Sequence, residues 1–214
     1  MDDGSGTSSI YDSSGNNNSG NLIGSMLDSS WVIGKYGDAL DFDGADDSVE
    51  ITNTTLIDTT RPFKISAWIN MDTWGEGGNF GEIFERNGYL LLEVDDNNDS
   101  LVLYNSSNAS GAETTSGALS LNMWHYVTAV YNGDNTANLF VNGIDKTSDN
   151  SITATNSNGN SYIGGSGSEN FDGRIDDVRI YNYARTSKQI IEDMNAGHPL
   201  VGTPNRRSCS TLEF

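Results

Sequence analysis

The feature that most constrains this chain is the way turn residues cut its apolar residues into short runs at hairpin spacing. Leu40 and Phe42 share one face of an alternating run, Val49 and Ile51 follow, and Ile65, Ala67 and Ile69 alternate with Ser66 and Trp68. Period-two alternation marks half-buried strands, because successive side chains point to opposite faces. Asn87-Gly88 separates residues 83–86 from 89–94, and the acidic stretch 95–99 separates that run from 101–104. Asn132-Gly133 ends the run 124–131, and Asn142-Gly143 closes 139–141. Asn-Gly suits the type I′ turn, whose two central residues need positive φ. Many short strands punctuated in this way predict an all-β fold, a two-sheet antiparallel sandwich.

One helix is expected, over residues 186–195. Thr186 can cap it, Gln189 falls at the third helical position of a capping box, and Gly197 stands where a glycine would stop it. Ile190, Ile191 and Met194 would pack against a sheet. Residues 198–214 contain Pro and Arg without periodicity and read as a linker or tail, which leaves 1–197 as the folded domain.

Charge narrows the partners. With 30 acidic against 11 basic residues the formal net charge is −19. Such a surface repels nucleic acid and anionic membranes, which need Lys and Arg to neutralise phosphate. It suits divalent cations and neutral ligands. The single cysteine, Cys209, leaves no internal disulfide. No apolar run approaches the roughly 18 residues of a membrane-spanning helix, so membrane insertion is not expected.

Five stretches, taken in order, carry a resemblance. They are the Asp- and Asn-rich segment 12–20; Gly37-Asp38-Ala39-Leu40-Asp41-Phe42-Asp43-Gly44-Ala45-Asp46-Asp47; and Phe63-Lys64-Ile65-Ser66-Ala67-Trp68-Ile69. The fourth is Trp124-His125-Tyr126-Val127 with Leu139-Phe140-Val141-Asn142-Gly143, and the fifth is Tyr162-Ile163-Gly164-Gly165 with Phe171-Asp172-Gly173-Arg174-Ile175-Asp176-Asp177. Together they resemble the laminin-G-like jelly-roll domains of the concanavalin A-like lectin/glucanase superfamily. One departure is at the start, where family members usually open on an aromatic-containing strand and this chain reads Met1-Asp2-Asp3-Gly4. The resemblance implies a jelly-roll β-sandwich with one short C-terminal helix, placed outside the cell or on its surface. It implies a non-catalytic, calcium-stabilised module of a larger secreted or surface protein, binding a glycan or polysaccharide. The alternative is a structural or adhesive spacer contacting a cell-surface or extracellular protein, and a glycoside hydrolase is the third reading.

Calcium takes about six to eight oxygens from carboxylates, amides and backbone. Asp12, Ser14, Asn16 and Asn18 are spaced two apart, so a looped backbone could aim their oxygens at one centre. In the resembling domains the terminal strand runs near the N-terminal segments, which makes Asp176, and after it Asp177, the ligand candidates across from that loop. Asp43, Asp46 and Asp47 form a competing acidic loop, for which a plain turn is the alternative.

Sugar contact needs aromatic platforms beside polar groups. Trp74, in a Gly-rich loop, and Tyr89, Tyr104 and Tyr162 are the aromatics outside the obvious core positions, whereas Trp68 and Trp124 read as sheet-packing residues. For hydrolysis, the nearest carboxylate pair is Glu82 and Glu85, whose three-residue spacing on a regular strand sends them to opposite faces. His125, inside a strand run, reads as structural, and no nucleophile–histidine–acid order or zinc-ligand spacing is present.

Overall fold

The computed structural model describes residues 8–27, 30–53, 55–75, 80–155 and 158–195. Within these, two antiparallel sheets lie face to face. The nine-stranded sheet runs, in spatial order, β1 (Ser9–Ile10), β2 (Gly20–Ile23), β5 (Ser48–Ile51), β15 (Ser161–Ile163), β7 (Phe80–Arg86), β8 (Leu90–Asp95), β9 (Ser100–Asn105), β10 (Ser110–Thr114) and β14 (Thr147–Asp149). The seven-stranded sheet runs β13 (Ile144–Asp145), β12 (Ala137–Val141), β11 (Trp124–Tyr131), β6 (Phe63–Met71), β16 (Asp172–Tyr181), β4 (Asp38–Asp43) and β3 (Trp31–Ile33).

Alternation decides which side chains meet between the sheets. Ile65, Ala67 and Ile69 of β6, Leu40 and Phe42 of β4, and Val127 and Ala129 of β11 face Val49, Ile51, Phe84, Leu92, Val94 and Leu103 of the other sheet in one continuous core. Each fully buried aliphatic or aromatic side chain of this kind contributes about 1.5–3 kcal/mol. Phe42 and Phe171 meet edge to face, with ring centroids 6.4 Å apart.

The turns follow their chemistry at two of the three Asn-Gly pairs that divide the predicted strands. Asn87 and Gly88 have φ of 50° and 68°, Asn142 and Gly143 of 53° and 76°, as a type I′ turn requires. Asn132-Gly133 differs: Gly133 is at 82° but Asn132 is not in the positive region, and the turn runs on to Thr136, whose carbonyl accepts from the Asn132 amide at 2.9 Å. A side chain at Gly133 would meet the Pro62 ring, so this glycine also serves close approach.

The helix α1 spans Ser187–Met194, with Thr186 as cap and the reciprocal Thr186–Gln189 capping box formed. The expected stop at Gly197 lies outside the described residues. Ile190 is buried with Trp68, Tyr126, Val130 and Phe140, and Met194 packs on the same cluster. Ile191 departs from expectation and is exposed, because it lies one residue off the stripe that Ile190 and Met194, four apart, present to the sheet. The helix covers the outer face of the seven-stranded sheet, and among the described residues no helix covers the outer face of the nine-stranded one. No helix in the described residues is long and apolar enough to cross a membrane.

Candidate functional site

The register of the nine-stranded sheet aligns one residue from each of seven strands in a row: Asn21, Glu50, Tyr162, Glu85, Leu91, Tyr104 and Gly111. Leu91 is absent from the core cluster that holds its neighbours Leu90 and Leu92, so this row faces away from the core. Tyr162 and Tyr104 stand three strands apart in it, about 14 Å at the usual strand spacing. Both are partly exposed. The Tyr162 hydroxyl donates to Glu50 Oε1 at 3.1 Å, and Asn160 donates to the same oxygen at 2.8 Å, which holds the ring in place. The Tyr104 ring leans on Gly111, where a β-carbon would come within 3.1 Å of its Cδ2. Tyr89, 42% exposed, sits at the end of the β7–β8 hairpin two residues before Leu91. Trp74 is partly buried and packs against the core.

The next row of that face is acidic, and it corrects the expectation for Glu82 and Glu85. Glu82 pairs with Glu93, but Phe84 pairs with Leu92, so Ile83 is an extra residue in β7. This β-bulge resets the alternation. Ile83 and Phe84 both enter the core, and Glu82 and Glu85 both turn to the outer face. Glu85 accepts from the Gly88 amide at 2.6 Å and from the Ser166 hydroxyl. Burial, followed by repulsion from Glu85, Glu93 and Glu169, pushes Glu82 up to about 8. Burial, then Glu169 and Asp95, does the same to Glu93.

The calcium candidates fall in three places. The Asp12 loop and the terminal strand do meet: a cavity of about 850 Å³ is lined by Asp12, Asn16 and Asn18 on one side and Asp177, Arg179 and Tyr181 on the other. Both Asp12 carboxylate oxygens accept backbone amides, from Ser14 and Asn18, each at 2.9 Å. Burial raises its pKa, but these hydrogen bonds outweigh it and hold the carboxyl below the usual value. The Asn18 amide oxygen accepts from Asn53, and Asn16 donates to the Ser14 hydroxyl. Asp177 sits in a bulge at φ 48° and pairs with Arg179 at 2.9 Å.

Asp176 does not line that cavity. It is fully buried, and its Oδ2 accepts from the Tyr36 amide at 2.9 Å in the β3–β4 hairpin. Burial raises its pKa. The third place is Asp43, Asp46 and Asp47, which bring one carboxylate oxygen each within 4.8 Å of one another. This loop is also closed internally. Asp43 accepts from the Ala45 amide at 2.9 Å and Asp47 from the Ser25 amide and hydroxyl, both at 3.1 Å. His125 is buried, with Nε2 3.2 Å from the Ser120 amide, and burial lowers its pKa.

Glu93, Glu169 and Asn170 were not singled out by sequence. Glu93 carried a signal, a lone charge in the apolar run Leu90-Leu91-Leu92-Glu93-Val94. Glu169 and Asn170 lie in a Gly/Ser stretch with no local mark; pairing alone brings them to β7, where the Glu82 amide donates to the Glu169 carbonyl at 2.8 Å.

Two antiparallel sheets packed face to face, one covered by a helix and the other bearing a polar and aromatic face with no helix over it among the described residues, define a concanavalin A-like sandwich. The laminin G-type family model described as the concanavalin A-like lectin/glucanases superfamily matches residues 43–191, and the chain belongs to that family. No curated protein sequence matches it. Among solved structures it is similar to domain 4 of AbnA, an extracellular GH43 arabinanase from Geobacillus stearothermophilus, in complex with arabinotriose (TM-score 0.68, 19% identity, 86% of this chain and 92% of that one). It is similar to a protein from Bacteroides ovatus provisionally described as carbohydrate binding (TM-score 0.51, 26% identity, 62% and 40%). It also resembles the binding domain of Paraclostridial Mosquitocidal Protein 1 (TM-score 0.66, 19% identity, 91% and 51%). The chain thus spans about half or less of the latter two.

Proposed function

We propose that this domain is a carbohydrate-binding module, stabilised by calcium and not itself catalytic, that works outside the cell or at its surface within a larger protein. The observation that carries this is the row Glu50–Tyr162–Glu85–Leu91–Tyr104, two partly exposed aromatic rings and the partly exposed Glu50 on a sheet face that no helix covers among the described residues. Aromatic rings stack on the apolar faces of sugars, and the partly exposed Glu50 carboxylate beside Tyr162 can accept from a hydroxyl. Glu85, by contrast, is buried and spends both oxygens inside the protein. Support comes from the arabinotriose complex of the AbnA domain and from the Bacteroides ovatus protein. An uncharged glycan also suits a chain of net charge −19.

A glycosidase reading has its own observation, since Glu82, Glu85 and Glu93 share one face. Burial argues for binding instead: Glu82 is 7% exposed and Glu93 4%, and both Glu85 oxygens are engaged. An acid that protonates a leaving oxygen has to reach it. Affinity gels and a glycan array on the purified chain test the proposal. Retardation by at least one polysaccharide, with no release of reducing sugar, is expected. Retention of protein ligands with no glycan bound would favour the spacer reading, and sugar release lost in Glu82→Gln would overturn the non-catalytic one.

A further inference from the structure

We propose that Glu82, Glu93 and Glu169, with the amide oxygen of Asn170, form a calcium site on the outer face of the nine-stranded sheet. This rests on the calcium part of the reading above and moves the ion away from the loops marked by sequence. One carboxylate oxygen of each glutamate lies within 4.8 Å of the other two. Calcium–oxygen bonds of about 2.3–2.6 Å place opposed ligands about 5 Å apart, so the three can share one ion.

Proximity of acids is not enough, and two further features point inward. Glu82 Oε2 is wholly buried and, among the described residues, has no hydrogen-bond donor. Asn170 spends its amino group on the carbonyls of Ala45 and Gly167, which turns its oxygen towards Glu82. A β-carbon at Gly165 would stand 2.8 Å from Asn170 Oδ1 and 3.0 Å from Glu82 Oε2, so both oxygens converge on this backbone. Gly165, at φ 93°, admits that approach as a side-chain-bearing residue would not. Two acceptors therefore face one another with no donor from the described residues between them. The charges acting on Glu93 are those of Glu169 and Asp95, both negative, and those on Glu82 are glutamates alone. A cation satisfies every one of these oxygens at once. Three carboxylates and an amide are hard ligands, and their spread over β7, β8 and the returning segment suits calcium's loose geometry better than the tight octahedron of magnesium.

The test is calcium titration by calorimetry, with melting curves, on the full chain stripped with EDTA. Calcium at about a hundredfold excess over its Kd raises the melting temperature by about 5–10 °C, and magnesium does so weakly. The double variant Glu82→Gln/Glu93→Gln melts above the unsubstituted chain in EDTA, because the repulsion is gone, and no longer responds to calcium. Asp43→Asn/Asp46→Asn keeps the response. If the response instead survives in the glutamine variant and is lost in the asparagine one, this site is overturned and the calcium reading stands. If the unsubstituted chain binds no calcium, both fall.

Discussion

The ammonium of Lys64 lies 3.2 Å from the carboxylate of Asp193, and that same carboxylate takes Arg185 at 2.5 Å and Arg179 at 3.7 Å. Lys64 is fully buried on β6, where it also donates to Ser66 and to the Tyr126 hydroxyl at 3.2 Å. The helix is thus tied to the sheet by one acidic residue that serves three cations. Asp193→Ala should cost about 3–5 kcal/mol, because it strands a buried ammonium. Chemical denaturation of Asp193→Ala and Lys64→Met/Asp193→Leu checks this; the double variant should recover most of the loss, and equal losses would refute the account.

Lys64 also sets a pH dependence. Burial, only partly offset by Asp193, lowers its pKa from 10.5 to about 8. Between those values the unfolded chain binds the extra proton, so stability rises with pH across the window, and the Lys64 contribution to the slope vanishes below about 8. Tyr126 opposes this at higher pH, since burial raises its pKa above the 10.0 of a free phenol and the folded state then holds the proton. The denaturation midpoint should therefore climb from pH 8 to about 9.5 and turn over beyond it. In Lys64→Met the climb should be absent; a midpoint that falls from pH 8 in the unsubstituted chain would contradict the sign.

Asp176→Ala should destabilise by about 1–3 kcal/mol by leaving the Tyr36 amide without its acceptor. The loss should be the same in EDTA and in calcium, as melting in both will show. A variant of normal stability that had lost only its calcium response would make Asp176 a ligand after all.

For sugar binding, Tyr104→Ala should weaken affinity by at least about fivefold, the equivalent of roughly 1 kcal/mol for one aromatic platform. Tyr104→Phe should bind nearly as the unsubstituted chain does. Tyr162→Phe releases the Glu50 bond and should weaken binding without lowering the melting point by more than a few degrees. Isothermal titration with a glycan identified on the array provides the comparison, and unchanged affinity in Tyr104→Ala would remove this face from consideration.

Local chemistry made most of the architecture readable. Alternation at Ile65, Ala67 and Ile69 and the Thr186–Gln189 box predict elements that form as expected. What was hidden is non-local. The bulge falls on Ile83, an ordinary strand residue, with only Gly81 two positions earlier to hint at it, and one extra residue moves a carboxylate to the other face of the strand. Asp176 and Asp177, adjacent and alike in sequence, go to different places because a bulge at Asp177 rotates one away from the other. Asn170 reaches Ala45 across 125 residues, a contact that only the closed sandwich creates.

Among the described residues the four outermost strands of the two sheets are β1, β14, β13 and β3, and none exceeds three residues. A long free edge is a template on which a second chain can add a strand, and a short one offers too few backbone groups to hold a stranger. Copies of this domain, or the domain beside other β-rich neighbours in one polypeptide, can therefore be crowded together without knitting into a common sheet. The polar sheet face stays available while the borders stay inert.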